Sequence, residues 1–346
     1  MISPALLPLV RCPDCEAPLA AGDGLLRCAR CGRTADATGA YLDLRPTHDV
    51  GESTKYQDEE LHADGRQSSV APPLLSAGIR NDMMRRFLQP GPSDRLLDLG
   101  CGSGRMMMWN RASGAYMAGV DVSPFFAAES LSAVDLVLGD LRRLPLIDRG
   151  FTKAYSFDVA EHLTREGLDT MLGEVARALA PGGRLFLYSH VRKNSRLALG
   201  LRAINGVATF LDRVGLIDLQ QERLRKSDHV NPLADLGELE ETVSKAGFRI
   251  VKIRYYTPLV GAIVENILLR LAEGVMTRRA KRRLARQGGS EHDSVPLVRA
   301  QGKRLAAGGC SGNVLRFLTW LMKIDIVLFG RVKSGPFFVL LEKIAR

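Results

Sequence analysis

The sequence predicts an α/β fold: a seven-stranded, mostly parallel, Rossmann-like sheet with helices on both faces. A small cysteine ribbon precedes it, and a helical insertion sits near its carboxyl end. Three observations carry this reading. Short apolar runs that end in turns rich in Gly and Asp recur from residue 95 to residue 190. Helix-forming stretches separate those runs, and strand–helix alternation favours a parallel sheet. Two Cys-x-x-Cys pairs stand apart from all this between residues 12 and 31.

The first strand is Arg95 to Leu99, and it breaks into Gly100-Cys101-Gly102-Ser103-Gly104. Glycine at every second position lets the backbone turn tightly and lets a ligand lie on it. The spacing Asp-x-Gly-x-Gly-x-Gly, starting at Asp98, is neither the phosphate loop nor the strict dinucleotide pattern. A second strand, 118–122, places Asp121 23 residues after Asp98, where a βαβ unit returns a carboxylate towards a ribose diol. A third, 134–138, ends in Gly139-Asp140, and a fourth, 154–159, ends in Phe157-Asp158-Val159-Ala160-Glu161-His162. A helix and a sharp stop at Ala180-Pro181-Gly182-Gly183 lead into a fifth strand, 184–190, which closes on His190. A helix over 236–246, capped by Gly247, precedes a sixth strand at 248–256, and a last strand covers 336–341.

This series resembles the class I S-adenosylmethionine-dependent methyltransferases, in particular the ubiquinone and menaquinone biosynthesis type with a Glu-His pair after the fourth strand. The resemblance covers about residues 93–190 and implies S-adenosyl-L-methionine as cofactor. It implies that Gly100, Cys101 and Gly102 lie under the methionine part, and that Asp121 accepts from the ribose hydroxyls. Asp140 would accept from the adenine amino group with Leu141 beside the ring, and Phe157 would offer backbone near the sulfonium. Asp98, Gly104 and Val122 complete the candidate cofactor set. The resemblance also implies that the last strand slots in antiparallel between the fifth and sixth.

The candidate catalytic residues are His162, Glu161 and His190. A histidine at the carboxyl rim of the sheet suits a general base or an orienting donor, since its pKa lies near neutrality. An equally weighted reading has Glu161 and His162 pin the start of the following helix. His229 is a further candidate for the pocket, with a structural role in its turn preferred. Tyr56 either closes over the cofactor or is a half-exposed loop residue.

Cys12, Cys15, Cys28 and Cys31 supply four thiolates at a spacing that fits one tetrahedral Zn2+. Four ligands leave no open position, so the site is expected to be structural, in a ribbon over 1–45 separate from the glycine loop. A polar linker and a cap helix fill 46–92, and the methyltransferase-like domain runs from 93 to 346. Within it lie an amphipathic lid at 193–227 and an insertion at 257–334.

The chain has 346 residues, 46% of them hydrophobic and 25% charged, with a net charge of +10. That is a globular composition, and the charge suits RNA, an anionic membrane surface or acidic substrates without choosing among them. No apolar run is long enough to span a bilayer, and the cysteine usage fits the reducing cytoplasm. The insertion pairs apolar helical stretches with 270–286, which holds seven basic residues and one acid. It reads either as a face for the inner surface of a membrane or as helices packed on the sheet edge. The expected function is methyl transfer to a lipophilic or lipid-linked small molecule. An RNA base methyltransferase and a non-catalytic binding protein are the alternatives.

Overall fold

The computed structural model describes residues 2–47, 70–192, 195–219, 230, 232–286 and 309–344. Tyr56, His229, the acidic run 58–60 and the stretch 287–308 lie outside the described residues.

The ribbon is a three-stranded antiparallel meander, β1 (Leu19–Gly22), β2 (Leu25–Cys28) and β3 (Thr34–Asp36). The chain then forms β4 (Leu42–Asp43) and, after the linker, helix α1 (Leu75–Leu88). Ile79, Met83, Met84, Phe87 and Leu88 put α1's apolar side on the sheet, and Gln89, left-handed at φ 49°, ends it by donating to the Arg85 carbonyl. The central strands are β5 (Arg95–Leu99), β6 (Tyr116–Asp121), β7 (Asp135–Leu138), β8 (Phe151–Phe157), β9 (Leu179–His190), β10 (Phe248–Tyr255) and β11 (Pro336–Lys343). Helices α2 (Arg105–Asn110), α3 (Ala128–Leu131), α4 (Arg165–Ala178), α5 (Ala198–Arg213) and α6 (Leu236–Lys245) connect them.

The sheet order is β10-β11-β9-β8-β5-β6-β7-β4, with β11 antiparallel to both its neighbours and the other pairs parallel. The last strand therefore sits where the resemblance put it. The expected count of seven is corrected to eight, because β4 adds an edge strand from the ribbon segment. Leu42 pairs with Val137 and Asp43 with Leu138. Leu42 and Leu44 are fully buried in the core that also holds Leu97, Val120 and Val137. A two-residue strand shows no alternation, so its pairing is invisible in sequence. Helix α4 stops at Ala178, just before 180–183 as expected, but the fifth strand, β9, begins at Leu179 instead of at 184. It carries an irregularity opposite Phe151–Lys153, where Gly183 packs so close to Ala180 O that a Cβ would sit 2.8 Å away.

The insertion begins with α7 (Leu259–Ala262), continues through a π-helical segment (Ile263–Leu269) into α8 (Arg270–Arg286), and resumes with α9 (Gly309–Met322) and α10 (Ile324–Phe329). α9 packs on α1, where Thr319 Oγ1 accepts from Leu75 N at 2.8 Å. Asp325, fully buried, accepts from the backbone N–H of Val260 and Gly261 at 3.0 and 2.9 Å. That carboxylate ties the two ends of the insertion together. No described helix is long and apolar enough to cross a membrane.

Candidate cofactor and acceptor site

The carboxyl ends of β5, β6, β7, β8 and β9 share one rim, because these strands run parallel in register. Gly100, Gly102 and Gly104 all take left-handed backbone, at φ 73°, 53° and 79°. The reason for glycine differs along the loop. A Cβ on Gly100 would meet Val159 Cγ2 at 2.4 Å, and one on Gly104 would meet Ser130 Cβ at 2.8 Å. A Cβ on Gly102 would meet nothing within 4 Å, so the middle glycine faces open space that a ligand can fill.

Asp121 closes this cradle. Its Oδ2 accepts from Gly102 N at 2.7 Å and its Oδ1 from Ser123 N at 2.9 Å. The carboxylate thus joins two strand-end loops and keeps lone pairs for a further donor. Val122, half-buried, lies beside it. Cys101 is buried beneath the loop, and Gly119 makes room for it, since a Cβ there would stand 2.8 Å from the Cys101 sulfur. Asp98 lies below as well, 3% exposed, with Oδ2 buried and lacking a hydrogen-bond partner among the described residues. Burial pushes its pKa up to about 8; the Tyr155 hydroxyl opposes the shift and the Asp121 charge adds to it. A buried, under-satisfied carboxyl below an open glycine cradle fits a ligand that brings a donor or a positive charge.

After β7, Asp140 and Leu141 are half-buried. Asp140 is held by Arg142, whose backbone N–H and Nη2 both reach it at 2.7 Å. Phe157 packs into an aromatic layer with Tyr155, Phe186 and Tyr188, at centroid distances of 5.8, 5.5 and 6.5 Å.

Glu161 and His162 lie in a 3-10 turn, Ala160–His162. The helix that follows is capped by Thr164, whose Oγ1 accepts from Gly167 N at 3.1 Å. The reading in which Glu161 and His162 pin the helix start is therefore replaced: the cap is two residues on. Glu161 instead turns inward, 2% exposed, and accepts from Ser189 Oγ at 3.0 Å. Burial, then the neighbouring Asp158 charge, push its pKa up to about 8. His190 Nδ1 stands 4.0 Å from Glu161 Oε1, beyond hydrogen-bond length. His162 is half-buried on the same turn.

Sequence reasoning missed Arg80, Asp158 and Tyr188. Asp158 follows β8 in left-handed backbone, φ 53°, and pairs with the Arg80 guanidinium. Arg80 reaches it from α1 and lies over the Tyr188 ring, 4.6 Å from the centroid. The only sequence signal was an arginine beside Ile79 on an otherwise core-facing stretch of helix.

In the ribbon, Cys12 Sγ lies 3.5 Å from Cys31 Sγ, and Cys15 Sγ lies 3.3 Å from Cys28 Sγ. All four sulfurs fall within 4.8 Å of one another, as ligands of one tetrahedral ion must. The backbone N–H of Cys31 holds the Cys28 thiol down to about 6, whereas burial pushes the Cys12 thiol up to about 12.

Residues 97–187 match the family model described as a methyltransferase domain. A probable tRNA methyltransferase 9B of Bos taurus is 30% identical over 156 residues, 44% of this chain and 31% of that protein. A 24-methylenesterol C-methyltransferase 2 of Oryza sativa subsp. japonica is 31% identical over 123 residues, 33% of each chain. The chain thus spans about a third of the length of these curated relatives. A solved Haemonchus contortus phosphoethanolamine N-methyltransferase 2 with S-adenosyl-L-methionine is 18% identical with a TM-score of 0.46, covering 85% of this chain and 58% of that one.

Proposed function

We propose that this chain, a class I S-adenosylmethionine-dependent methyltransferase by its residues 97–187, methylates a lipophilic or lipid-linked small molecule at an anionic membrane surface in the cytoplasm. The cofactor supplies an activated methyl group on a sulfonium. The chain's residues have to hold it, exclude water and orient the acceptor. In this reading Gly100, Cys101 and Gly102 support the methionine part, Asp121 binds the ribose, and Asp140 with Leu141 receives the adenine. Glu161, paired with Ser189 and near His190, holds or takes a proton on the acceptor side, with His162 on the same turn. Arg80 closes that side over Tyr188. Cys12, Cys15, Cys28 and Cys31 hold a structural Zn2+.

One observation carries the choice of acceptor. α9 and α10 display Val314, Phe317, Trp320, Val327 and Leu328 to solvent. Phe317 and Trp320, 58% and 61% exposed, stack at 5.8 Å on each other, and Val327 is 79% exposed. Val314, Phe317 and Trp320 follow one another at three-residue spacing on one side of α9, and Val327 and Leu328 are exposed on α10. Arg316, Lys323, Arg331 and Lys333 flank them, and the segment's one acid, Asp325, is buried. An exposed apolar patch beside Arg316, Lys323, Arg331 and Lys333, with the Asp82 carboxylate of α1 pairing Lys323 at 2.5 Å, suits an anionic lipid surface. The same α9 packs on α1, the helix that carries Arg80 to the rim. Purified protein incubated with methyl-labelled cofactor should label a lipid extract and not an RNA extract. Label in RNA alone would replace this reading with the RNA one, for which a tRNA methyltransferase among the relatives is the motive.

A further inference from the structure

We infer that the first cysteine knuckle, acting through Arg143, positions the adenine end of the cofactor site, so that metal in the ribbon and cofactor at the rim strengthen each other's binding. The inference rests on the reading that Asp140 and Leu141 receive the adenine.

The loop 139–147 follows β7 and carries both residues. Gly139 N donates to Asp121 O of β6 at 2.9 Å, and Arg177 of α4 donates to the carbonyls of Leu144 and Leu146 at 3.2 and 2.7 Å; the amino-terminal segment supplies further bonds. Arg143 Nη2 donates to Asp14 O at 2.5 Å, inside the Cys12–Cys15 knuckle. Arg11 N, one residue before that knuckle, donates to Pro145 O at 3.0 Å, and Ile147 N donates to Leu9 O at 2.9 Å. Val10 and Leu146 form an antiparallel bridge between these bonds. Before the loop, Leu44 N donates to Leu138 O at 2.9 Å, continuing the β4–β7 pairing.

Asp14 also ties the two knuckles together. Its carboxylate accepts from Arg33 Nη1 at 2.6 Å, two residues past Cys31, and from Thr47 N at 2.9 Å. On the other side, Arg143 N donates to Asp140 O at 3.0 Å, and the adjacent Arg142 grips the Asp140 carboxylate. A short covalent and hydrogen-bonded path therefore runs from the four sulfurs through Asp14 and Arg143 to Asp140. A ribbon of three short strands has little core of its own, so metal supplies much of its order. When the ribbon loosens, the loop keeps its bonds to Arg177 and Asp121 but loses those to the amino-terminal segment, and the cofactor must supply the missing order at its own expense. Linkage makes the effect reciprocal.

The test uses the full chain with zinc bound, S-adenosylhomocysteine and 5′-methylthioadenosine as probes, and titration calorimetry. Losing the Arg143 bond should weaken both probes about fivefold to tenfold in Arg143→Ala, the scale of one hydrogen bond. Zinc content should stay at one per chain, and Arg143→Lys should recover part of the loss. In wild type, saturating S-adenosylhomocysteine should slow zinc extraction by a chromophoric chelator, and hydrogen exchange should show 139–147 losing protection when zinc is removed. Unchanged affinities in Arg143→Ala, together with unchanged affinity after zinc removal, would overturn the positioning role alone. Zinc-loaded wild type that binds neither probe would overturn the cofactor reading and this inference with it.

Discussion

Ser189 Oγ donates to Glu161 Oε2 at 3.0 Å across the gap between the β8 turn and the end of β9. This bond anchors a carboxyl that burial has moved far from its solution behaviour. Glu161 has a pKa of about 8 in the fold, against roughly 4.3 in an unfolded chain. Between those values the folded state holds more protons than the unfolded one, so stability falls as pH rises. Asp98, also at about 8, acts in the same direction. The ligand-free protein should melt at higher temperature at pH 5 than at pH 8, and Glu161→Gln should flatten that slope. Calorimetric scans across pH check it; a wild-type melting temperature that rises from pH 5 to pH 8 would remove the buried neutral carboxyls from the account.

Asp121 makes two backbone bonds and is proposed to make more to the ribose. Asp121→Ala should weaken S-adenosylhomocysteine by about 1–3 kcal/mol, the range for bonds to a charged acceptor. Asp121→Asn should lose less, because the amide oxygen still accepts from Gly102 N or Ser123 N. Equal affinity for all three proteins by calorimetry would take Asp121 out of the binding site.

Phe317 and Trp320 are exposed, so their loss creates no cavity. Phe317→Ser with Trp320→Ser should leave stability within roughly 0.5 kcal/mol per site, as surface changes usually do. The same pair should abolish sedimentation with vesicles of mixed anionic and zwitterionic lipid at low salt. Wild type that ignores such vesicles while binding ribosomal RNA would reject the membrane face.

Asp325 is the hinge pin of the insertion. Asp325→Ala strands the buried N–H of Gly261 and the N–H of half-buried Val260, at a cost of about 1–3 kcal/mol. Urea unfolding should show that loss, and hydrogen exchange should locate it in 259–269. Protection there equal to wild type would mean that the helices hold without the carboxylate.

The sequence alone determined what repeats over a few residues. The strand-end glycines, the acids at Asp98, Asp121 and Asp140 and the Cys-x-x-Cys pairs were legible, because each follows from local period, spacing or a motif series; the place of the last strand was implied only by the family resemblance. The tertiary structure decided which distant groups meet. It brought Arg80 of α1 onto Asp158, 78 residues away. It made Leu42 and Asp43 an eighth strand beside β7, gave the α4 cap to Thr164 instead of Glu161 and His162, and turned Phe317 and Trp320 outward while burying Asp325. None of these has a periodic signature. A pairing across scores of residues depends on which surfaces the packed layers leave adjacent, and burial of a given side depends on what packs against it.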